Sequence, residues 1–514
     1  MRSRIQLNHL GLSLGLIGCC LFFQPACTTL GPDYQEPDIQ ALQTWETSLY
    51  GQVQQAGTAS AIDLENWWQQ FNDPVLNELV AIAHSENLNL QIAGLRILES
   101  RAALGIAIGS RYPQLQQLSG AGSYVVNERR DGNDDDFFQW QSAFTLGWEA
   151  DFWGRFERSI ESSNAAFFNS IANQQNVQVL LTTQVISTYF AYRTTQLQIE
   201  IAKLNAKTQK RSYDITEQLY NSGQNSELDL QQAKTQYMAT RSSIPQLELA
   251  ALQARNALCL LLARPPGSLP ELTDEYNDFA AVSPPLTNEI PAALLMQRPD
   301  VRAAAWQIAV QSPQVGIAEA ALYPAINLGG NVSVSGNSIS SGSDTLTLGI
   351  GPSFTWNLFN YGTLENNVRV QDARLQQAIE NFENVVLQAA QEIDNAAISL
   401  SKNRDTQAPL EASLKAAERS LEIATVSYSE GYADFQRVLD AQRAAAAQAT
   451  NVVVNKGNQI AALVSLYGSL GAGWTEATID GLIPESTRRE MEARSDWGEL
   501  LRDPLTEPDT ENSN

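Results

Sequence analysis

The chain repeats itself at a fixed distance. Trp148, Gly154, Tyr220, Gly223, Ala233, Leu258 and Leu262 recur as Trp356, Gly362, Tyr428, Gly431, Ala441, Leu466 and Leu470, each pair 208 residues apart. Upstream, Tyr112-Pro113 recurs as Tyr323-Pro324, 211 apart, so the first copy carries three extra residues, placed in the polar stretch before Trp148. A constant offset over so long a stretch marks a duplicated structural unit, and the period is far too long for a solenoid. It predicts one large motif used twice, with a pseudo-twofold relation between the copies. A chain of 514 residues has room for two or three domains or one elongated body.

Each copy contains two short segments of period two. From Thr345 to Trp356, the residues Leu346, Leu348, Ile350, Phe354 and Trp356 fall on one parity, with Pro352 among them; Thr, Gly and Ser fill the other. Phe138, Trp140, Phe144, Leu146 and Trp148 alternate with Gln139, Gln141, Ala143, Thr145, Gly147 and Glu149. Ile326, Leu328, Val332 and Val334 alternate with Asn327, Gly329, Asn331 and Ser333, and a weaker pattern places Leu118, Tyr124 and Val126 together. Segments of about ten to twelve residues match a tilted strand crossing a bilayer. A half-buried strand of a soluble sandwich is the alternative. Against it, the polar face is small and uncharged, and Trp140, Trp148, Trp356 and Phe359 lie on or just beyond the apolar faces, where interfacial belts form. The connecting loops are polar. One holds Asp131, Asp134, Asp135 and Asp136, a solvated acidic loop in preference to a metal site.

Long helices follow each strand pair. Between Gly154 and Gly223, and again between Gly362 and Gly431, lie 68 residues without glycine, interrupted by proline only at Pro409. Apolar spacings of three and four predict helices of up to about 100 Å each, which require coiled-coil or bundle support. Each run meets a turn, at Tyr220–Gly223 or Tyr428–Gly431, and returns as a second helix. The organisation expected is a signal peptide 1–26, an extended segment 27–73 and a first repeat 74–263 (helix, strand pair about 115–150, long helix, return helix). A Pro-rich linker 264–291 leads to a second repeat 292–473 of the same order, with strands about 325–356. A polar tail 474–514 reads as disordered or loosely applied. Asp73 and Pro74 suit the start of the first helix, which continues to about Gly109.

The ends and the charge narrow the function. Arg2 and Arg4, an apolar Leu10–Phe23 and Pro25-Ala26-Cys27 read as an export signal. Cys27 is the candidate lipidated first residue of a mature lipoprotein, with Cys19 as the alternative. Cys259 sits in an apolar helical run and reads as a buried small residue. No other segment is long and apolar enough to span as a helix, so a membrane crossing must use strands. A net charge of −24 argues against nucleic acid and anionic lipid faces. The two histidines are His9, lost with the signal, and His84, read as a satisfied surface residue. No catalytic, metal or cofactor site is evident, nor a Walker-type glycine loop. The protein is not expected to be an enzyme, and any energy comes from a partner.

Four strands cannot close a membrane barrel, and lipid tolerates no open sheet edge. Copies must close it together. Two would give a plugged eight-stranded barrel; three would leave a pore. The residues alone thus point to an oligomeric duct through the outer membrane, extended into the periplasm.

At this point the chain resembles the TolC-like family of outer-membrane efflux proteins, in the lipoprotein branch serving RND-type drug-efflux pumps. The resemblance covers roughly residues 27–475. It rests on Cys27–Tyr34, on Trp67-Trp68 with Phe71, Asp73-Pro74, Leu76-Asn77 and Leu79, on Arg298–Arg302, and on Gly431, Asp434-Phe435 and Val438–Gln442. It implies a membrane α+β fold: a homotrimer whose 12-stranded β-barrel, four strands per chain, continues into a long α-helical periplasmic barrel. It implies the passive exit duct of a tripartite pump completed by a periplasmic adaptor and an inner-membrane RND-type transporter, and it strengthens Cys27 as the anchor. In this family the tunnel is closed at its periplasmic tip by side-chain links and a ring of acidic residues. Tyr428 and Asp440 match that gate. Ala433 and Arg437 stand where the family has an arginine and the first of two gate aspartates, so its links are not copied intact. Arg437 and Asp440 are three apart and within reach of a local pair; a solvated charged face is the plainer reading. The other readings are a TolC-like duct for type I protein secretion and a non-conducting periplasmic coiled-coil lipoprotein.

Overall fold

The computed structural model describes residues 29–35, 64–127, 135–272, 279, 292–337, 344–476 and 478–502. The signal sequence, Cys19, Cys27, Asp131, Asp134, most of the Pro-rich linker and residues 503–514 lie outside the described residues. The chain forms two compact units, and they do not coincide with the two repeats. One comprises residues 1–36, 101–166 and 307–378; the other comprises 37–100, 167–306 and 379–514. Each unit draws on both copies.

The first unit holds one antiparallel sheet in the order β1-β2-β3-β4. The strands are β1 (Leu115–Asn127), β2 (Asp135–Ala150), β3 (Ala325–Gly336) and β4 (Thr345–Thr355). The register puts every apolar parity on one face. Leu118 faces Phe144, Phe144 faces Val332 and Val332 faces Leu348; on the other face the matching row is Ser119, Ala143, Ser333 and Thr347. The small-residue side is the more enclosed, with Ala143 and Ser333 buried, whereas Leu346, Leu348, Ile350 and Phe354 are 70–77% exposed. Among the described residues the outer edges of β1 and β4 have no partner strand.

Side chains repeat the duplication. Trp148 Nε1 donates to the Arg111 carbonyl at 3.2 Å, and Trp356 Nε1 to the Leu322 carbonyl at 3.0 Å. The register also relocates the three extra residues. Gly147 and Thr355, 208 apart, face Leu115 and Ala325, which are 210 apart. Two extra residues therefore lie in the first hairpin and one lies before β1, not all in one loop. The stretch before β1 contains Gln114, whose amide oxygen accepts from the Glu149 backbone N–H at 2.7 Å beside the strand ends.

The segment after the signal runs as a strap in this unit. Arg158 donates to the carbonyls of Leu30 (2.9 Å) and Gly31 (3.2 Å) and pairs with Asp33 at 2.7 Å. The Leu30 N–H donates to the Trp153 carbonyl. Gly31 lies against the Gly316 backbone so closely that no side chain fits there.

The second unit is helical, and several of its helices run on in sequence into residues of the first. Asp73 accepts from the N–H groups of Val75 and Leu76 and starts α1 (Pro74–Glu86), as expected. The stretch then breaks at Asn87, whose side chain accepts from Asn89 and Leu90 and starts α2 (Leu88–Gly109). A self-capping asparagine, with neither glycine nor proline, ends one helix and begins the next. The long helices are α3 (Arg155–Asn221) with its return α4 (Glu227–Leu261), and, after α5 (Ala292–Gln297) and α6 (Pro299–Ala320), α7 (Thr363–Ser429) with its return α8 (Phe435–Ser469). The long arms have 67 residues each and the returns 35 each. Pro409 lies inside α7 without ending it. In α7 the buried residues Phe382, Val386, Ala389, Ile393, Ala396 and Leu400 advance by four and three in turn, the heptad stripe of coiled-coil packing.

The C-terminal tail corrects the sequence expectation. Residues after Thr478 form α9 (Ile479–Leu482), α10 (Glu485–Arg494) and a short 3₁₀ turn at Gly498–Leu501. Leu482, Ile483, Met491 and Leu501 share one buried cluster with Ile97, Leu98 and Phe167. Four spaced apolar anchors hold an otherwise charged segment in place.

Candidate functional site

The two helical turns that end the long arms share a backbone design. At the first, the Gly223 N–H donates to the Tyr220 carbonyl and the Gln224 N–H to the Leu219 carbonyl; at the second, Gly431 donates to Tyr428 and Tyr432 to Ser427. This is a Schellman closure in both copies. Gly223 and Gly431 have φ of +72° and +77°, and a Cβ at either would meet nothing. Glycine is needed there for backbone conformation, not for space.

Beyond the glycines the copies diverge. In the first, Ser226 caps α4, accepting from the Asp229 N–H at 3.2 Å while its hydroxyl donates to the Asp229 carboxylate at 2.9 Å. In the second, Asp434 at the same place makes no side-chain cap. Asp434, Arg437, Asp440 and Arg443 then follow at intervals of three along α8. Asp434 pairs with Arg437 at 3.8 Å and Asp440 with Arg443 at 3.4 Å. The anticipated Arg437–Asp440 pair is not made. An acid placed before its base on a helix is the favoured order, and both observed pairs obey it. These pairs are exposed and each contributes at most about 1 kcal/mol. Asp440 also accepts from Gln436 at 3.0 Å.

Tyr428 lies where the copies meet. Its ring packs against Phe435 at 5.3 Å, beside the buried cluster of Ala233, Phe435, Val438 and Leu439. Its hydroxyl accepts a 2.6 Å hydrogen bond from the Asn225 amide. The mirrored position cannot reproduce this bond, since Ala433 stands at the place of Asn225. Beside the turns, Gln442 bonds across to Ser212 at 2.7 Å and Arg443 to Gln236 at 2.8 Å. Asn225, Gln236 and Arg443 were not singled out from sequence. The repeat offset was a usable signal for Asn225, because it aligns an amide with an alanine beside two matched tyrosines.

Away from the turns, His84 is half-buried rather than at the surface, its Nε2 2.7 Å from the Thr182 hydroxyl and its ring edge-on to Trp68. Burial lowers its pKa to about 4. Cys259 is buried. Among the described residues no group of His, Cys, Asp and Glu could hold a metal ion, and no helix is long and apolar enough to cross a membrane.

A family model described as "Outer membrane efflux protein" matches residues 79–264 and 290–472. The chain belongs to the outer membrane efflux protein family. The probable outer membrane lipoprotein SilC of Salmonella typhimurium is 28% identical over 465 residues, covering 89% of this chain and 98% of that protein. The cation efflux system protein CusC of Escherichia coli strain K12 is 28% identical, covering 90% and 98%. The solved outer-membrane channel OprN matches with a TM-score of 0.78 at 29% identity, covering 87% of this chain and 99% of that one. The printed names are those of an outer-membrane lipoprotein, an efflux-system protein and a channel. The chain is thus an outer-membrane efflux channel with the family's α+β tunnel fold.

Proposed function

We propose that this channel is the exit duct of a tripartite pump, built from three copies whose twelve strands close one barrel. The observation that carries the reading is the sheet: one apolar face continuous over four strands, with β1 and β4 both unpaired at their outer edges among the described residues. An open edge has no stable place in lipid. The long arms would supply the walls of the periplasmic tunnel. A periplasmic adaptor and an RND-type inner-membrane transporter would complete the path, delivering drugs or other small molecules for passive release. Cys27 would carry the lipid anchor. The strap from Thr29 to Asp33, clamped by Arg158, supports an anchorage fixed close to the sheet.

We place the gate at the second turn, in Tyr428, Arg437 and Asp440, with Gly223 and Gly431 as the glycines that shape the turns. Alternating pairs along α8 leave each carboxylate beside an arginine, so closure here would depend less on an acidic ring than on the Asn225–Tyr428 bond. Purified protein in planar bilayers is the test. Small, rarely open conductance in the native channel, rising when Tyr428 or Asn225 is truncated, is the expected result. No conductance from native or variant protein would sink the duct.

A further inference from the structure

Within the sheet, β2 and β3 form the contact between the two copies. Its register puts Trp148 opposite Leu328 and Gly147 opposite Gly329. Beside it Trp153 stacks on Tyr323 at 4.6 Å, and Trp153 Nε1 donates to the Pro324 carbonyl at 2.9 Å. The duplication supplies the counterparts of every one of these groups. Tyr361 stands at the place of Trp153, and Tyr112-Pro113 at the place of Tyr323-Pro324. Yet Tyr361 is 99% exposed and Tyr112 57% exposed, and one chain cannot bring them together across the sheet.

The second junction is also built differently. In the first, Asp151 accepts from the N–H groups of Phe156 and Glu157. In the second, Phe359 replaces that aspartate and Asn360 accepts from the Gly362 N–H instead. Tyr361 itself has a φ of +51°, an outlier for a bulky residue. A strained backbone that presents a ring wholly to the outside points to a partner for that ring.

We infer that β4 pairs with β1 of a second copy in the register of β2 with β3, latched by Tyr361 stacking on Tyr112 of that second copy. This rests on the oligomeric barrel proposed above. Applying the observed strand offsets, Trp356 faces Leu118 of the second copy, Thr355 faces its Ser119, Ile350 its Tyr124 and Leu348 its Val126. The parities agree throughout, so the apolar face continues unbroken across the junction. A slip of one residue would turn half of these side chains into the lumen. The copies then contribute two kinds of seam to one barrel. A tryptophan fastens the seam within each chain and a tyrosine fastens the seam between chains.

The test is oxidative cross-linking of the full-length protein in outer membranes, with one cysteine pair per variant. Thr355→Cys with Ser119→Cys is in register; Thr355→Cys with Ala121→Cys is two residues off. Because a disulfide needs Cβ atoms about 4 Å apart, the in-register pair is expected to give roughly tenfold more linked subunits. Tyr361→Cys with Tyr112→Cys should link through a short bifunctional reagent. Preferential linking of the off-register pair overturns the register while leaving the oligomer intact. Linked strands with unlinked tyrosines overturn the latch and leave Tyr361 to the lipid interface. No linking in any variant, from native protein that is monomeric in detergent, overturns the oligomeric barrel itself. Tyr361→Trp should keep, and Tyr361→Ala lower, the temperature at which the oligomer dissociates in gels; equal loss in both also refutes the latch.

Discussion

The two copies agree where the backbone decides and part where a single side chain decides. Both long arms break off at matched glycines, both return helices have the same length, and both copies break their first helix at matched positions, 211 residues apart. Asn87 stands at that split in the first copy and Arg298, just before Pro299, in the second. Asn87 donates to the carbonyl of Leu261 and Arg298 to that of Ser469, again 208 residues apart. One task, closing the C-terminus of a return helix, is done by an amide in one copy and by a guanidinium in the other. What duplication preserves is thus the demand, not the residue that meets it.

His84 gives the sharpest contrast. Its counterpart is Leu295, fully buried, and Thr182 corresponds to Ala390, so the first copy keeps a polar pair where the second has none. With the folded pKa near 4 against 6.5 for an unperturbed histidine, the fold keeps His84 neutral while the unfolded chain protonates. Stability should be unaffected above pH 6.5 and fall as pH drops from 6.5 to about 4. The loss is at most about 3 kcal/mol. Unfolding midpoints in detergent at pH 7 and pH 4.5 measure it. Importing the second copy's pair, His84→Leu with Thr182→Ala, should remove that component of the pH dependence; an unchanged slope would assign it to other groups.

The helix-split residues come next. Arg298 is buried and also bonds to Asp300 and Glu392, so Arg298→Ala should cost about 2 kcal/mol and Asn87→Ala about 1 kcal/mol, in line with charged and neutral hydrogen bonds. Equal costs by chemical denaturation would mean that the shared carbonyl contact, and not the carboxylates, carries Arg298.

How far the sequence reveals such matters depends on what each residue answers to. The strands were legible because each must satisfy lipid on one side and a small-residue face on the other, so parity alone reads out the sheet. The long arms were legible from the absence of glycine over their whole length. The split at Asn87 was not, because its cause is a side chain capping its own neighbours, and no breaker residue announces it. Nor was the docked tail, whose Leu482, Ile483, Met491 and Leu501 are too sparse to outweigh the charged residues between them. At the turns, Arg437 has an aspartate three residues away on either side. Spacing leaves both partners open, and only the preferred order of acid before base on a helix chooses Asp434.

The turns allow the comparison to be tested where the copies are most alike. Gly223→Val and Gly431→Val each force a β-branched residue into a left-handed conformation, at about 1 to 2 kcal/mol. Because both glycines face open space, the two costs should match within error in thermal unfolding of the purified channel. A clear inequality would show that the turns differ in more than their side chains.

The smallest effect is the one that bears on gating. Asn225 reaches Tyr428, whereas the repeat puts Ala433 where the amide for Tyr220 would stand. Asn225→Ala removes the bond and, at the net value of a neutral hydrogen bond of about 1 kcal/mol, should raise the open fraction in planar bilayers roughly fivefold. Tyr428→Phe should do the same, and the double variant should add little, since both remove one interaction. The reverse change is more demanding. Ala433→Asn offers Tyr220 the amide that it lacks, and if closure follows the number of such bonds between copies, the variant should open less than the native channel. An Ala433→Asn channel that opens as often as the native one would confine the effect to the Asn225–Tyr428 side, and the two turns would then be equivalent in backbone alone.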